Sequence, residues 1–336
     1  METKRKDIAS IAKIIGSRPD YVQGGGGNVS IKLNDTKMAI KASGFRLEDL
    51  DSNIGLVDIN YVHLRNFCQT PPTTSDLPSL IKNCDEVVTR SIYQPEEKGV
   101  LRPSIETGFH AILGDAVIHT HSVYANLLTC AEEGELIIKE LFPEAIFIPY
   151  NTPGIALTYA IQEAKNKNDG DVFFLENHGL IAVGKNSKLA FDLHEKINNT
   201  IKKHLILDKV YPSLSLDFTD GFWVANSPYL SEFIRKNPEL MTSIADTILF
   251  PDQVVYGEQI SFDTNNPSLV TINLLDGVVT CTGSTGFARA AVETLVAWAY
   301  LMENIPSFGF TIKTLPQTEG IFIANLDSEK YRKNIV

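Results

Sequence analysis

Helical and strand spacings of apolar residues alternate along this chain. Ile8, Ile11, Ala12 and Ile15 fall three and four apart, which predicts a helix over 5–15 with Gly16 as its stop. The period drops to two in Asn28-Val29-Ser30-Ile31-Lys32-Leu33, a strand, and Asn34-Asp35 turns the chain into a returning strand, Met38 to Ala42, that ends at Ser43-Gly44. Pro71-Pro72-Thr73-Thr74 is a loop, and Ser75 or Asp76 suits the N-cap of a following helix. Pro103-Ser104 opens a helix over 104–113, with Ser104 as N-cap and Glu106 in the first turn. A strand over 116–121 follows the turn Gly114-Asp115. Helix 122–131, strand 145–149, helix 155–165, strands 171–176 and 180–183 and helix 187–204 continue the series. Short strands joined by turns, with helices between, predict an α/β fold around a mostly antiparallel sheet.

Tyr211-Pro212-Ser213-Leu214-Ser215 interrupts the pattern and divides the chain into residues 1–212 and 213–336. The second region predicts helices over 228–236 and 239–248, strands near 254–262, 268–274 and 277–281, and a helix over 286–303. A last strand over Gly320 to Asn325 precedes a polar tail, Asp327 to Lys333. This is an α+β unit with no motif that assigns it a role. Thr282-Gly283-Ser284-Thr285-Gly286 could hold an anion at a helix start, but with only Arg289 as a basic companion it reads as the turn into the long helix.

Composition narrows the function classes. The net charge of −11 argues against the concentrated basic face that nucleic acid or an anionic membrane needs, and leaves room for a local basic pocket for a phosphorylated metabolite. No apolar run reaches the roughly 18 residues that a membrane span needs. Cys68, Cys84, Cys130 and Cys281 form no CxxC pair, so they suit buried reduced thiols better than a disulfide framework. The basic start, Lys4 to Lys6, runs into Asp7-Ile8-Ala9 and not into the apolar core of a leader peptide. These features fit a cytoplasmic protein.

The chemistry concentrates in Val117-Ile118-His119-Thr120-His121-Ser122. In a strand, His119 and His121 point to one face. Two imidazoles on the apolar side of a strand contribute little to packing and suit a divalent metal. His178, in Leu175-Glu176-Asn177-His178-Gly179, supplies a third. Three histidines with an open fourth position describe a catalytic zinc site, with Mn2+, Fe2+ or Co2+ as alternatives. Glu106, thirteen residues before His119, could be a fourth ligand, a general acid/base, or a helix-dipole residue. His110, four residues on, could orient Glu106 or simply pack. Gly24 to Gly27 precede a strand, which excludes the P-loop and the dinucleotide fingerprint, since both open a helix. Their amides could cradle an anion or only shape a turn.

Gly25-Gly-Gly-Asn28-Val-Ser30, Lys41-Ala-Ser43-Gly44, Pro103-Ser-Ile-Glu106-Thr107, His119-Thr-His121 and Asn177-His178-Gly179 together resemble the class II aldolase/adducin family, in order and spacing, over about residues 5–210. The resemblance implies a three-layer α/β/α fold with a mostly antiparallel sheet, a homo-oligomer, commonly a tetramer, and a sugar or sugar-phosphate substrate. It implies Zn2+ on His119, His121 and His178, with Glu106 as the acid/base residue that also approaches the metal. Gly27, Asn28, Ser43, Gly44 and Ser104 would hold a substrate phosphate. The activity it implies is reversible aldol cleavage of a ketose phosphate or related hydroxy-ketone through a metal-stabilised enediolate. Epimerisation, dehydration and decarboxylation are the family alternatives, and a non-catalytic adducin-like scaffold is the other class. In one place the chain departs from the fuculose-phosphate aldolase pattern: Ile105 replaces the second of two serines before the glutamate, removing a hydroxyl donor. Residues 213–336 are additional to the minimal aldolases.

Overall fold

Seven strands build the first sheet: β1 (Asn28–Lys32), β2 (Lys37–Lys41), β3 (Leu56–Asn60), β4 (Ala116–Thr120), β5 (Ile146–Ile148), β6 (Val172–Leu175) and β7 (Gly179–Gly184). They are ordered β3-β2-β1-β4-β7-β6-β5, and every pairing is antiparallel except β5 with β6. The computed structural model describes residues 1–70, 74, 76–93, 101–257 and 259–327. Eight helices accompany this sheet: α1 (Glu2–Gly16), α2 (Tyr61–Gln69), α3 (Leu77–Ser91), α4 (Thr107–Ile112), α5 (Val123–Thr129), α6 (Gly134–Leu141), α7 (Ile155–Lys167) and α8 (Ser187–His204).

Strand alternation sends the two sides of the sheet into two cores. Val29, Ile31, Ala116 and Ile118 join Ile8 of α1, Leu127 of α5 and Ile197 of α8 on one side. Ile40, Val117 and Ile181 join Leu64 of α2, Leu80 of α3, Phe109 of α4 and Ile161 of α7 on the other. The result is the three-layer α/β/α arrangement with a mostly antiparallel centre. The parity also sorts the histidine run: His119 follows Val117, while Thr120 faces the opposite way and bonds His194 of α8.

A second sheet, ordered β10-β11-β12-β9-β8, is built from β8 (Ser215–Thr219), β9 (Phe222–Asn226), β10 (Ile260–Ser261), β11 (Val270–Asn273) and β12 (Val278–Cys281). Helices α9 (Pro228–Lys236), α10 (Pro238–Thr242), α11 (Pro251–Gly257), α12 (Thr285–Ser307) and α13 (Gln317–Asn325) complete it. Helix α12 is capped by Ser284, whose hydroxyl accepts from Phe287 N. It buries Val292, Leu295, Trp298 and Leu301 in the same cluster as Ile8, Leu127 and Ile197, so the core on that side runs unbroken into the C-terminal region.

Several elements differ from the sequence expectation. Helix α4 begins at Thr107, so Glu106 is its N-cap residue and lies outside the first turn, while Ser104 Oγ accepts from Glu106 N. The first part of the expected strand at 254–262, residues 254–257, is helix α11, because Pro251 and Asp252 favour a helix start and outweigh the β-branched pair that follows; Ile260–Ser261 within it form the short strand β10. Residues 320–325 are helical, following Pro316 and Glu319 at the start of α13. The helix expected over 239–248 stops at Thr242. Strand β3, helices α2 and α6 and the β8–β9 hairpin were not anticipated; the hairpin turns on Asp220-Gly221, both at positive φ. Asp76 does cap α3, accepting from Ser79 N. Pro71, Pro72, Thr73, Ser75 and the tail beyond Asp327 lie outside the described residues.

Candidate metal centre

Pairing register sets up the site. β1 lies beside β4 with Asn28 opposite His119, and β4 lies beside β7 with His119 opposite Ile181. His121 follows immediately after β4 ends. His178 sits in the tight β6–β7 turn, where Asn177 adopts a left-handed conformation (φ 50°) and Gly179 passes so close to Thr120 that an added Cβ would lie 2.2 Å from its carbonyl oxygen. The Asn-His-Gly order is therefore what brings His178 against the end of β4.

The three imidazoles converge. Their ring centroids are mutually 5.0 Å apart, and one nitrogen from each can be chosen so that all lie within 4.8 Å of one another. His119 Nδ1–H donates to Leu180 O at 3.1 Å, and His121 Nδ1–H donates to Asp252 Oδ2 at 2.5 Å. That leaves the two Nε2 lone pairs facing each other at 3.2 Å. Two bare lone pairs at this separation repel, whereas two ligands on a tetrahedral cation with zinc–nitrogen bonds of 2.0–2.1 Å sit about 3.3 Å apart. The donor set fits a divalent metal. Burial, then the charges of His121, His178 and His110, hold His119 well below the ordinary histidine pKa, so it is a neutral ligand at physiological pH.

Glu106 faces this triad. Its two carboxylate oxygens lie 3.3 Å from His178 Nε2 and 3.5 Å from His119 Nε2. Asn28 Nδ2 donates to Glu106 Oε2 at 2.6 Å, and Glu106 is 5% exposed. His110, by contrast, bonds Ser30 at 2.7 Å and stacks on Phe109, fully buried in the sheet-facing side of α4.

The cavity in front of the triad has a volume of ≈ 30 Å³ and is walled by Asn28, Ser43, Ser104 and Glu106 together with Lys41 and Ile105, and closed by Pro153, Pro251 and Asp252. Three of the five expected phosphate residues, Asn28, Ser43 and Ser104, thus stand together on its wall. Gly27 and Gly44 are not among the lining residues; both have positive φ and shape the turns behind it. Lys41, 2% exposed, donates to Gly25 O and Phe45 O and adds a positive charge to the wall. A cleft of ≈ 700 Å³ shares Ile105 and Pro153 with this cavity and carries Lys82, Arg90 and Arg102 farther out.

A family model described as the class II aldolase and adducin N-terminal domain matches residues 6–205. The chain belongs to the class II aldolase and adducin family. It is 31% identical over 121 residues to a 3-oxo-tetronate 4-phosphate decarboxylase from Pectobacterium atrosepticum, covering 32% of this chain and only 55% of the length of that relative. It is 30% identical over 186 residues to an L-fuculose phosphate aldolase from Methanocaldococcus jannaschii, covering 54% of this chain and 84% of the relative. Among solved structures, the N-terminal class II aldolase domain of a conserved protein from Thermoplasma acidophilum superposes with a TM-score of 0.51 at 26% identity, over 59% of this chain and 92% of the other.

In this class II aldolase family member the residues beyond the matched segment also reach the centre. Glu293 of α12 accepts from Gly24 N at 2.7 Å, and Tyr256 OH of α11 accepts from Gly25 N at 3.1 Å. Gly26 N donates to Gln23 O, so three amides of the glycine run already have partners within the protein. Asn177 Nδ2 donates to Leu249 O and Lys313 O, tying the His178 turn to the same region. Sequence reasoning missed Asp252, Tyr256 and Glu293. The one legible signal was Glu293, the lone charge in the mostly apolar stretch Ala290 to Ala299.

The four cysteines are buried free thiols, with Cys84, Cys130 and Cys281 each pushed up by burial to about 12, which disfavours their thiolate forms. Among the described residues no helix is long and apolar enough to cross a membrane.

Proposed function

We propose that this chain is a divalent-metal-dependent lyase that carries out reversible aldol cleavage of a ketose phosphate or related hydroxy-ketone. His119, His121 and His178 hold the metal, zinc in the first instance, and Glu106 moves the proton. The observation that carries this reading is the convergence of three buried imidazoles with a carboxylate 3.3–3.5 Å from two of them. When bound there, the cation supplies Lewis acidity, offsetting the negative charge that develops on a substrate carbonyl oxygen. Glu106 removes or returns the proton at the carbon beside that carbonyl, and Asn28 orients its carboxylate for the transfer. Ser43 and Ser104 offer hydroxyls, and Lys41 a charge, to the anionic end of the substrate; Gly27 and Gly44 set the turns that present this wall. In this reading residues 1–212 carry the chemistry, residues 213–336 brace it, and the protein works as a homo-oligomer.

Decarboxylation of a phosphorylated oxo acid is the second reading. The name of the Pectobacterium relative supports it. Both reactions generate the same kind of carbanion beside a carbonyl. The deciding experiment is metal analysis of the purified chain, followed by incubation with phosphorylated and free ketoses and with phosphorylated oxo acids. An aldehyde and a ketone fragment identify the aldolase, and carbon dioxide identifies the decarboxylase. A metal-free, inert protein would instead indicate an adducin-like scaffold.

A further inference from the structure

The inner coordination of the proposed metal comes from residues 119–178, but one outer contact does not. Asp252, in the first turn of α11, is 0% exposed, and its Oδ2 lies 2.5 Å from His121 Nδ1, the nitrogen remote from the other two imidazoles. A carboxylate on the far nitrogen of a ligating histidine fixes the tautomer, locks the ring plane and makes the near nitrogen more basic. The glycine run supplies a second, independent observation. A Cβ on Gly26 would fall 2.5 Å from Asp252 Oδ2 and 2.8 Å from His121 Nδ1, so only glycine lets the loop pass this contact. Gly26 has no positive φ to explain it; its constraint is space.

We propose that Asp252 is a positioning residue for His121, holding Nδ1–H so that Nε2 points at the metal, and that Gly26 is glycine to leave room for that pair. The C-terminal region thereby completes the metal centre from within the same chain. The inference rests on the metal-centre reading given above. It adds that metal affinity is set partly by a residue outside the segment that the family model covers.

The test is equilibrium competition for Zn2+ or Co2+ between a chelator and the full-length chain, with the melting temperature of each metal-free protein recorded alongside. Asp252→Ala is expected to weaken metal binding 10–100-fold. Asp252→Asn keeps an oxygen to accept Nδ1–H but loses the charge, and is expected to fall between Ala and wild type. Gly26→Ala leaves both partners in the sequence yet pushes them apart, and is expected to weaken binding as well. The Co2+ absorption spectrum of the Asp252 variants should shift as the His121 ring rotates. A purely structural role would lower the metal-free melting temperature and leave the metal Kd and the spectrum unchanged, which overturns the inference. If Asp252→Ala does not fold, a wild-type Kd in both Asp252→Asn and Gly26→Ala overturns it equally. A wild-type chain that binds neither metal removes the metal-centre reading itself, an outcome distinct from metal binding that ignores Asp252.

Discussion

Residues 6–205 and the region that follows them contribute to one site in opposite ways. The first carries every group expected to touch metal or substrate, on a strand end, a tight turn and a helix start that motifs mark in the sequence. The second carries no motif, yet Asp252, Tyr256, Glu293 and the carbonyls of Leu249 and Lys313 grip the backs of His121, Gly25, Gly24 and Asn177. Ligands must have defined chemistry and spacing, so they leave a pattern in sequence. Supports need only one well-placed atom each, so many residue types and positions can provide them. A site can therefore be half legible and wholly built.

The largest effect should come from the first region. His121→Ala is expected to abolish metal binding and turnover while the circular dichroism spectrum stays native. Metal retained at wild-type stoichiometry would break the assignment of the triad. Next comes Glu106→Gln, which keeps the shape and the Asn28 contact but cannot exchange a proton. Its kcat should fall by about 10²–10⁴-fold with metal content unchanged. Loss of metal in this variant would make Glu106 chiefly a ligand, a reading its position at 3.3 Å from His178 Nε2 makes worth measuring.

The second region should show its effect in stability before activity. Glu293 is 1% exposed and accepts from Gly24 N, Arg46 and Arg289 at 2.6–2.9 Å. Glu293→Ala strands the mostly buried Arg46 guanidinium against Glu48 alone and unlatches the glycine run. Removing one partner of a buried ion pair costs about 3–5 kcal/mol, and a loss near the lower end is expected here because Glu48 remains. Urea unfolding checks this. A change no larger than that of an exposed helix substitution would mean that the C-terminal region merely sits against the glycine loop.

Much of the fold was legible, and the exceptions share a cause. Strands β1, β2, β4, β6 and β7 declared themselves by apolar alternation or by unbroken apolar runs between turn residues. Residues 254–257 and 320–325 did not, because a few β-branched residues suggest a strand while the helix starts upstream, at Pro251-Asp252 and Pro316, and burial against distant partners favour helix. Gly320, for example, lies where a Cβ would be 2.5 Å from Ile248. The triad and Glu106 were legible as chemistry, whereas the partner of Asn28 was not. Asn28 donates to Glu106, a contact created by the register of β1 on β4 and invisible in either segment alone.

The smallest effect separates the two regions by pH. His110 lies in α4, and its partners, Ser30 and Phe109, also belong to the first region. Burial, then the charges of Lys32 and Lys41, holds it at about 3, below the ordinary 6.5. Between these values the unfolded chain binds a proton that the folded one refuses, so stability is complete above pH 6.5 and falls as the pH drops towards 3. One such group contributes about 1.4 kcal/mol per pH unit within that window. His119 and His194, also fully buried and held low by burial, add slopes of the same sign. His110→Gln, which can still bond Ser30 but does not titrate, should therefore make the metal-free protein less sensitive to acid by about 1.4 kcal/mol per unit between pH 6 and pH 4. Urea midpoints at several pH values measure this directly, and parallel curves for wild type and variant would remove His110 as a source of the slope. Because His110 bonds within the first region, Glu293→Ala should lower both curves and leave their difference in slope intact. If that difference vanishes, the two regions are not separable contributors and the glycine latch reaches as far as α4.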